Sequence, residues 1–101
     1  MANGTLGQSA LAANTDTTVY TPSSVATVNV SLVNKGTNTA AIRLAVAASG
    51  TPSTAEYLEY DTILGVGDVL ERTGVVITAS KNVVARSNVA NVAVNIYGYE
   101  A

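Results

Sequence analysis

The carboxylate side chains are the residues of this sequence whose types and spacing come closest to a catalytic or ion-binding site. Glu56, Glu59 and Asp61 lie close together, and Asp68 and Glu71 follow them. Side chains two residues apart on a β-strand point to the same face, so Glu59 and Asp61 form a candidate pair. Such a pair would suit the hydrolysis of a glycosidic bond or the binding of Ca²⁺.

The other interpretation of these acids is structural. An exposed strand face that carries two carboxylates forms ion pairs with Arg72 or Arg86 across the sheet, and no loop resembles a calcium-binding motif. The chain has no His and no Cys, which removes the usual general base, the thiol nucleophile and the common zinc ligands. We therefore predict a protein that is not an enzyme and has no cofactor and no metal site.

Nucleotides and nucleic acids are not expected as ligands. The segment 65–68 (Gly-Val-Gly-Asp) lacks the rest of either nucleotide-binding fingerprint. The sequence pI is about 4.7, whereas nucleic-acid binders carry clustered basic residues. The basic residues here are scattered along the chain: Lys35, Arg43, Arg72, Lys81 and Arg86.

The tyrosines are the second group with binding potential. They are Tyr20, Tyr57, Tyr60, Tyr97 and Tyr99. Tyr97 and Tyr99 share one face of the last predicted strand, where they would suit a protein partner or stack against a sugar. The alternative is that they cap the edge of the fold and form local hydrogen bonds.

The elements that position these residues are predicted to be β-strands. Residues 26–32 alternate strictly, with Val28, Val30 and Leu32 on one face and polar side chains on the other. Residues 40–47 repeat the pattern, and the loop 34–38 between the two contains Gly and Asn. We predict a hairpin there, because Gly and Asn tolerate the positive φ of tight turns.

Further strands are predicted at short intervals along the chain. They cover residues 17–21, 57–62, 69–73 continuing over 75–78, 83–87 and 92–99, with a weaker one at 5–9. Gly74 is expected to mark a bulge, and Ser53 with Glu56 a capping box over at most one helical turn. About seven to nine short strands indicate an all-β, antiparallel β-sandwich that is jelly-roll-like. The predicted core is Val28, Val30, Leu32, Ile42, Leu44, Val46, Leu58, Val92, Val94 and Ile96.

The chain is predicted to consist of an extended N-terminal arm, residues 1–14, and a single β-sandwich domain, residues 15–101. The arm is rich in Gly and Ala, so we expect it to stay extended and to insert into a neighbouring subunit. We expect no signal peptide, and no stretch reaches the 18 or more apolar residues of a membrane helix.

The composition points to assembly. Charged residues make up 12% of the chain, about half of the roughly 25% that is usual in a soluble domain. Small apolar residues also occupy outward positions of the predicted strands, and such surfaces mark protein contacts. An alternative is that the N-terminal segment covers that face. The predicted contact residues are Leu6, Val84, Ala93, Tyr97 and Tyr99.

Motifs along nearly the whole chain resemble a known family. They are Gly4-Thr-Leu-Gly, Asn14-Thr-Asp-Thr-Thr-Val-Tyr-Thr, Ala26-Thr-Val-Asn-Val-Ser-Leu, Ala45-Val-Ala-Ala-Ser-Gly-Thr-Pro, Glu56-Tyr-Leu-Glu-Tyr-Asp, Leu70-Glu-Arg-Thr-Gly and Val94-Asn-Ile-Tyr-Gly-Tyr-Glu. In these the chain resembles small virion proteins of tailed bacteriophages, cyanophages among them. The resemblance implies a β-sandwich accessory protein of the head or tail, often oligomeric, and it brings no catalytic residues.

We therefore predict a virion structural protein that decorates or stabilises the particle surface. Its partners would be its own copies, as a homotrimer, and a capsid or tail protein, with assembly in the host cytoplasm and no contact with membranes. One alternative is a tail or fibre subunit that binds a receptor or host glycan in an open groove around Tyr57, Tyr97 or Tyr99. Another is a hydrolase with Glu59 and Asp61 inside a pocket.

Overall fold

The fold consists of eight antiparallel strands and one 3₁₀ turn. The computed structural model describes residues 2–101. The strands are β1 (Ala2–Leu11), β2 (Thr17–Tyr20), β3 (Ala26–Asn34), β4 (Ala40–Ala47), β5 (Tyr57–Leu64), β6 (Val69–Ile77), β7 (Asn82–Ser87) and β8 (Val92–Glu100), and the turn is Thr54–Glu56. The predicted all-β class and number of strands are confirmed. No helix in residues 2–101 is long and apolar enough to cross a membrane.

The strands form two four-stranded sheets with jelly-roll connectivity. Sheet I has the order β1-β8-β3-β6, and sheet II has the order β2-β7-β4-β5. The two halves of the chain pair like the arms of one long hairpin: β1 with β8, β2 with β7, β3 with β6 and β4 with β5. The β3–β8 and β4–β7 ladders complete the sheets. This winding is the eight-stranded jelly roll, so the predicted sandwich is confirmed.

The predicted hairpin of residues 26–47 is wrong, because β3 and β4 lie in different sheets. The connection between them crosses from one sheet to the other, a distance of about 10 Å. Asn34 anchors it: this buried side chain donates to the carbonyl oxygens of Asn38 (2.8 Å) and Leu64 (3.0 Å) and accepts from the amide of Gly36 (3.0 Å). Gly and Asn serve both kinds of connection, so the loop composition alone does not distinguish them.

The core lies between the inner faces of the two sheets. Eight of the predicted core residues are buried: Val28, Val30, Leu32, Ile42, Leu44, Val92, Val94 and Ile96. Val46 is half-buried and packs against this core. The prediction of Leu58 as a core residue is wrong, because 38% of its surface is exposed. It lies on the edge strand β5, where the register with β4 shifts twice and breaks the alternation.

The N-terminal segment is part of the domain, which corrects the predicted division into an arm (1–14) and a sandwich (15–101). Strand β1 pairs with β8 along its whole length and ends in the buried Leu11. Leu6 lies at the register shift of β1 and packs against the core of its own chain. Gly7 permits a close approach to β2, because a Cβ there would lie 2.5 Å from the carbonyl oxygen of Val19. The glycine content predicted an extended arm, but Gly7 instead allows β1 to pack closely against β2.

Candidate functional site

The predicted carboxylate pair is not formed. Ile42 pairs with Thr62 and Leu44 pairs with Glu59, so both Tyr60 and Asp61 lie opposite a single residue of β4. Asp61 adopts a positive φ of 51° at this bulge. Glu59 thus shares a face with a core residue, whereas Asp61 is turned to the outer face of sheet II. The prediction that these two carboxylates share a face is wrong.

Each carboxylate instead has its own arginine. Asp61 accepts from Nε and Nη2 of Arg43 at 2.7 and 3.3 Å, which lowers the pKa of Asp61 and raises the pKa of Arg43. Glu59 accepts from Nε of Arg72 at 2.8 Å and from the hydroxyl of Thr62 at 2.8 Å. Residues 2–101 contain no cluster of three His, Cys, Asp or Glu side chains able to hold a metal ion. The arrangement found is the ion-paired one.

Part of the outer face of sheet II lies beside the connection between β4 and β5, residues 48–56. Ala45, Ala47 and Val84 point away from the core cluster and are nevertheless buried, at 0%, 0% and 2% exposure. The connection reaches this part of the face, because a Cβ on Gly50 would lie 3.6 Å from Oγ1 of Thr18, the outward neighbour of Val84 on β2. The prediction of Val84 as a contact residue is therefore wrong, because its own chain already buries it.

Glu56 holds this covering loop in place. Its carboxylate accepts from the backbone amides of Ser53 (2.8 Å) and Ala48 (2.9 Å), so it ties the start of the loop to its end. These two hydrogen bonds lower the pKa of Glu56. The predicted single helical turn and the capping box of Ser53 and Glu56 are confirmed.

An open groove lies beside the covering loop. It has a volume of about 670 Å³ and is lined by Pro52, Thr54, Tyr57 and Tyr60. The two tyrosine rings meet edge to face, with centroids 4.9 Å apart and an interplanar angle of 81°. The guanidinium carbon of Arg43 lies 4.2 Å from the centroid of the Tyr60 ring. The groove predicted for a binding module is thus found at Tyr57, while Tyr97 and Tyr99 lie on the other sheet.

The outer face of sheet I, here called the bare face, has no covering segment among residues 2–101. The strand registers place on it the side chains of Asn3, Thr5, Gln8, Ala10, Thr27, Asn29, Ser31, Val33, Val69, Glu71, Val76, Ala93, Asn95, Tyr97 and Tyr99. Among these described side chains, Glu71 alone carries a formal charge at neutral pH. Three of the contact residues predicted from the sequence, Ala93, Tyr97 and Tyr99, come together on this face.

Two hydrogen bonds order the polar centre of the bare face, one between the neighbouring strands β1 and β8 and one that reaches from β8 across β3 to β6. The hydroxyl of Tyr97 donates to Oε2 of Glu71 (2.9 Å), which raises the pKa of Tyr97. Nε2 of Gln8 donates to Oδ1 of Asn95 (2.7 Å). Such cross-strand pairs fix long side chains before a partner binds, and this lowers the entropy cost of association.

Both ends of the bare face are apolar. At one end Tyr99 and Val76 are 44% and 68% exposed, and at the other end Val69 is 55% exposed beside the half-buried Ala93. Val69 and Val76 are not among the contact residues predicted from the sequence. The bulge at Gly74, where φ is +65°, shifts the register between them, so the alternation of β6 does not reveal that they share a face.

Comparisons with models of protein families, with curated proteins and with solved structures each find no match. The fold is shared by proteins with unrelated activities, including viral capsid and lectin domains. The structural features that bear on function are therefore the two outer faces of the molecule.

Proposed function

We propose that this protein is a non-enzymatic structural subunit of a tailed-bacteriophage particle, which assembles with copies of itself, as a trimer, and decorates or stabilises the particle surface. The observation that carries the assembly is the bare face of sheet I, which combines exposed apolar side chains with one formal charge. The phage assignment rests on the sequence motifs, and its particle partner is a capsid or tail protein.

The bare face is large enough for a stable contact. The molecule measures 38 × 27 × 18 Å, so one broad face covers about 1,000 Å², above the roughly 800 Å² per partner of a standard interface. This area also exceeds the area that crystal-packing contacts usually bury. The area of the face is thus sufficient for contact with a second copy of the chain.

The chemistry of the bare face also suits burial. Interface cores are depleted in charged residues and enriched in aromatic ones. Removing one carboxylate from water is costly unless its charge is paired, but Glu71 lies on the edge strand β6, where the rim of a contact stays in water, and it accepts a hydrogen bond from Tyr97. The remaining polar side chains are amides and hydroxyls, which can donate to or accept from a partner without losing a charge's hydration.

A matched pair of lysine substitutions tests this contact. Val76 on the bare face and Ile63 on the outer face of sheet II are 68% and 67% exposed, so neither substitution disturbs a buried site. We expect the wild type to be an oligomer by light scattering, Val76→Lys to shift it toward the monomer, and Ile63→Lys to leave its mass unchanged.

Two results would contradict the proposal. One is a wild-type protein that stays monomeric at high concentration and does not co-sediment with phage particles. The other is an equal effect of the two substitutions on the measured mass, because the contact would then not be specific to sheet I.

A further inference from the structure

We propose that the groove beside the covering loop on sheet II is a binding site for a neutral sugar residue of an oligosaccharide. This goes beyond the structural role, since the groove lies on the sheet opposite the bare face. It combines an aromatic platform, a polar rim and a local geometry that holds both in place.

The aromatic platform consists of Tyr57 and Tyr60. Tyr60 is 58% exposed, and its ring meets that of Tyr57 edge to face, at an interplanar angle of 81°. A pyranose ring has an apolar face of C–H groups and a rim of hydroxyl groups. Tyrosine matches both parts, because it offers an apolar ring and a polar tip.

The bulge in β5 positions this platform. Two residues, Tyr60 and Asp61, oppose Arg43 alone, so both side chains lie on the outer face with it. Arg43 then stacks on the Tyr60 ring and binds Asp61 through two nitrogen atoms. A positive φ at a residue other than Gly, such as 51° at Asp61, is uncommon and costs free energy. Bulges frequently re-aim side chains at binding sites.

The charges beside the groove favour a neutral ligand. Arg43 is paired with Asp61, and its cross-strand neighbour Arg86 is paired with Asp16 at 3.7 Å, so both arginines beside the groove already have a carboxylate partner. Half of the Asp61 side chain remains exposed, and a carboxylate has more acceptor positions than Arg43 occupies. Sugar hydroxyl groups can donate to these positions, whereas an anionic ligand would be repelled by them.

The groove is large enough for one or two sugar residues. Because it is open to solvent, the rest of a longer oligosaccharide can extend beyond it. Its volume of about 670 Å³ lies within the roughly 300–1,000 Å³ of small-molecule sites. Pro52 and Thr54 line the groove together with the two tyrosines, and both belong to the covering loop that Glu56 holds in place. The loop therefore contributes to the site as well as covering the sheet.

The test uses neutral trisaccharides of glucose, mannose, galactose and N-acetylglucosamine, with sialyllactose as an anionic comparison, titrated by calorimetry against the intact protein. We expect at least one neutral trisaccharide to bind and Tyr60→Ala to raise its Kd about tenfold, near the upper value of one aromatic contact. Tyr60→Phe should keep the affinity. Tyr99→Ala, an exposed tyrosine on the bare face, is the matched control and should leave the Kd unchanged.

Absence of binding to every neutral trisaccharide at millimolar concentration would overturn the inference, as would preferential binding of sialyllactose. So would an equal loss of affinity in Tyr60→Ala and Tyr99→Ala. The oligomeric mass of each variant is measured in the same samples. A monomeric wild type that binds sugar would refute the proposed assembly alone, and an oligomer that binds none would refute this site alone.

Discussion

The outer faces of the two sheets carry similar small apolar side chains but meet different surroundings. On sheet II, Ala45 and Val84 are buried beneath a loop of their own chain. On sheet I, Ala93 is half-buried, and Val69 and Val76 are more than half exposed. The same sequence signal, a small apolar residue at an outward strand position, thus corresponds to an internal contact in one sheet and to a free surface in the other.

The length of one connection explains the difference. Residues 48–56 join β4 to β5 and are numerous enough to fold back over sheet II, where Glu56 fastens them by two backbone hydrogen bonds. The turn from β5 to β6 spans only residues 65–68, and no connection crosses the outer face of sheet I within residues 2–101. The apolar ends of the sheet I face therefore stay exposed in the single chain.

The largest expected effect comes from the same substitution on the two faces. Ala45→Asp places a carboxylate at a fully buried position and should lower the free energy of unfolding by about 3 kcal/mol, within the range for an unpaired buried charge. Ala93→Asp should cost less than about 1 kcal/mol in the monomer, where water reaches the new carboxylate. Urea denaturation at a protein concentration that keeps both variants monomeric measures this difference.

If the two aspartates destabilised the monomer equally, sheet II would not be covered as described. Ala93→Asp should in addition weaken self-association, because position 93 lies on the bare face. Position 45 lies on sheet II, outside the proposed contact. Light scattering of the folded fraction separates these two effects.

A smaller effect is expected when the covering loop is loosened by acid. The pKa of Glu56 is lowered in the folded state by its backbone donors, so the ionised carboxylate stabilises the fold at pH values above its unfolded pKa. That stabilisation is lost as the pH falls through the lowered pKa. The urea midpoint should therefore drop between pH 7 and pH 3 by more in the wild type than in Glu56→Gln, which cannot ionise.

The comparison of the two proteins isolates Glu56, because Asp61 and Glu100 also have lowered pKa values and contribute to the acid loss in both. Parallel pH profiles of wild type and Glu56→Gln would show that the carboxylate does not hold the loop.

The smallest effect is expected at alkaline pH on the bare face. The hydrogen bond to Glu71 and partial burial raise the pKa of Tyr97. The contribution of this hydrogen bond to the free energy of unfolding is therefore present below pH 10 and is lost as the pH rises through the raised pKa. Tyr20, which donates to Glu100, has its pKa raised by burial to about 12. Glu71→Gln removes the charged acceptor, so spectrophotometric titration should show part of the tyrosine ionisation of the wild type moving to lower pH; an unchanged titration would contradict the Tyr97–Glu71 pair.

Much of the fold was predictable from the sequence. Alternation of apolar and polar residues in β3 and β8 identifies their buried faces, because a strand with one buried face has a period of two. The same pattern places Ala93, Tyr97 and Tyr99 on one outer face. These statements depend only on neighbours along a strand, which is the information that a single sequence carries.

The remainder depends on contacts between distant residues. The pairing of β3 with β8 and of β4 with β7 is decided by burial across the whole domain, so the loop after Asn34 does not reveal that it crosses between sheets. Strand β5 shifts its register against β4 twice, once at Tyr60 and Asp61, which separates Glu59 from Asp61, and once at Leu58, which is exposed. The burial of Val84 depends on where residues 48–56 fold, and no local pattern encodes that.

The central claim is that another protein molecule covers sheet I, whereas the chain itself covers part of sheet II. Because the chain contains no Cys, Val76→Cys and Ile63→Cys each introduce a single thiol at nearly equal exposure in the isolated subunit. The most direct measurement is the rate at which a water-soluble thiol reagent labels each variant in its native assembly, relative to the rate in urea. The account predicts strong protection at position 76 and little at position 63, and equal native rates at the two positions would contradict it.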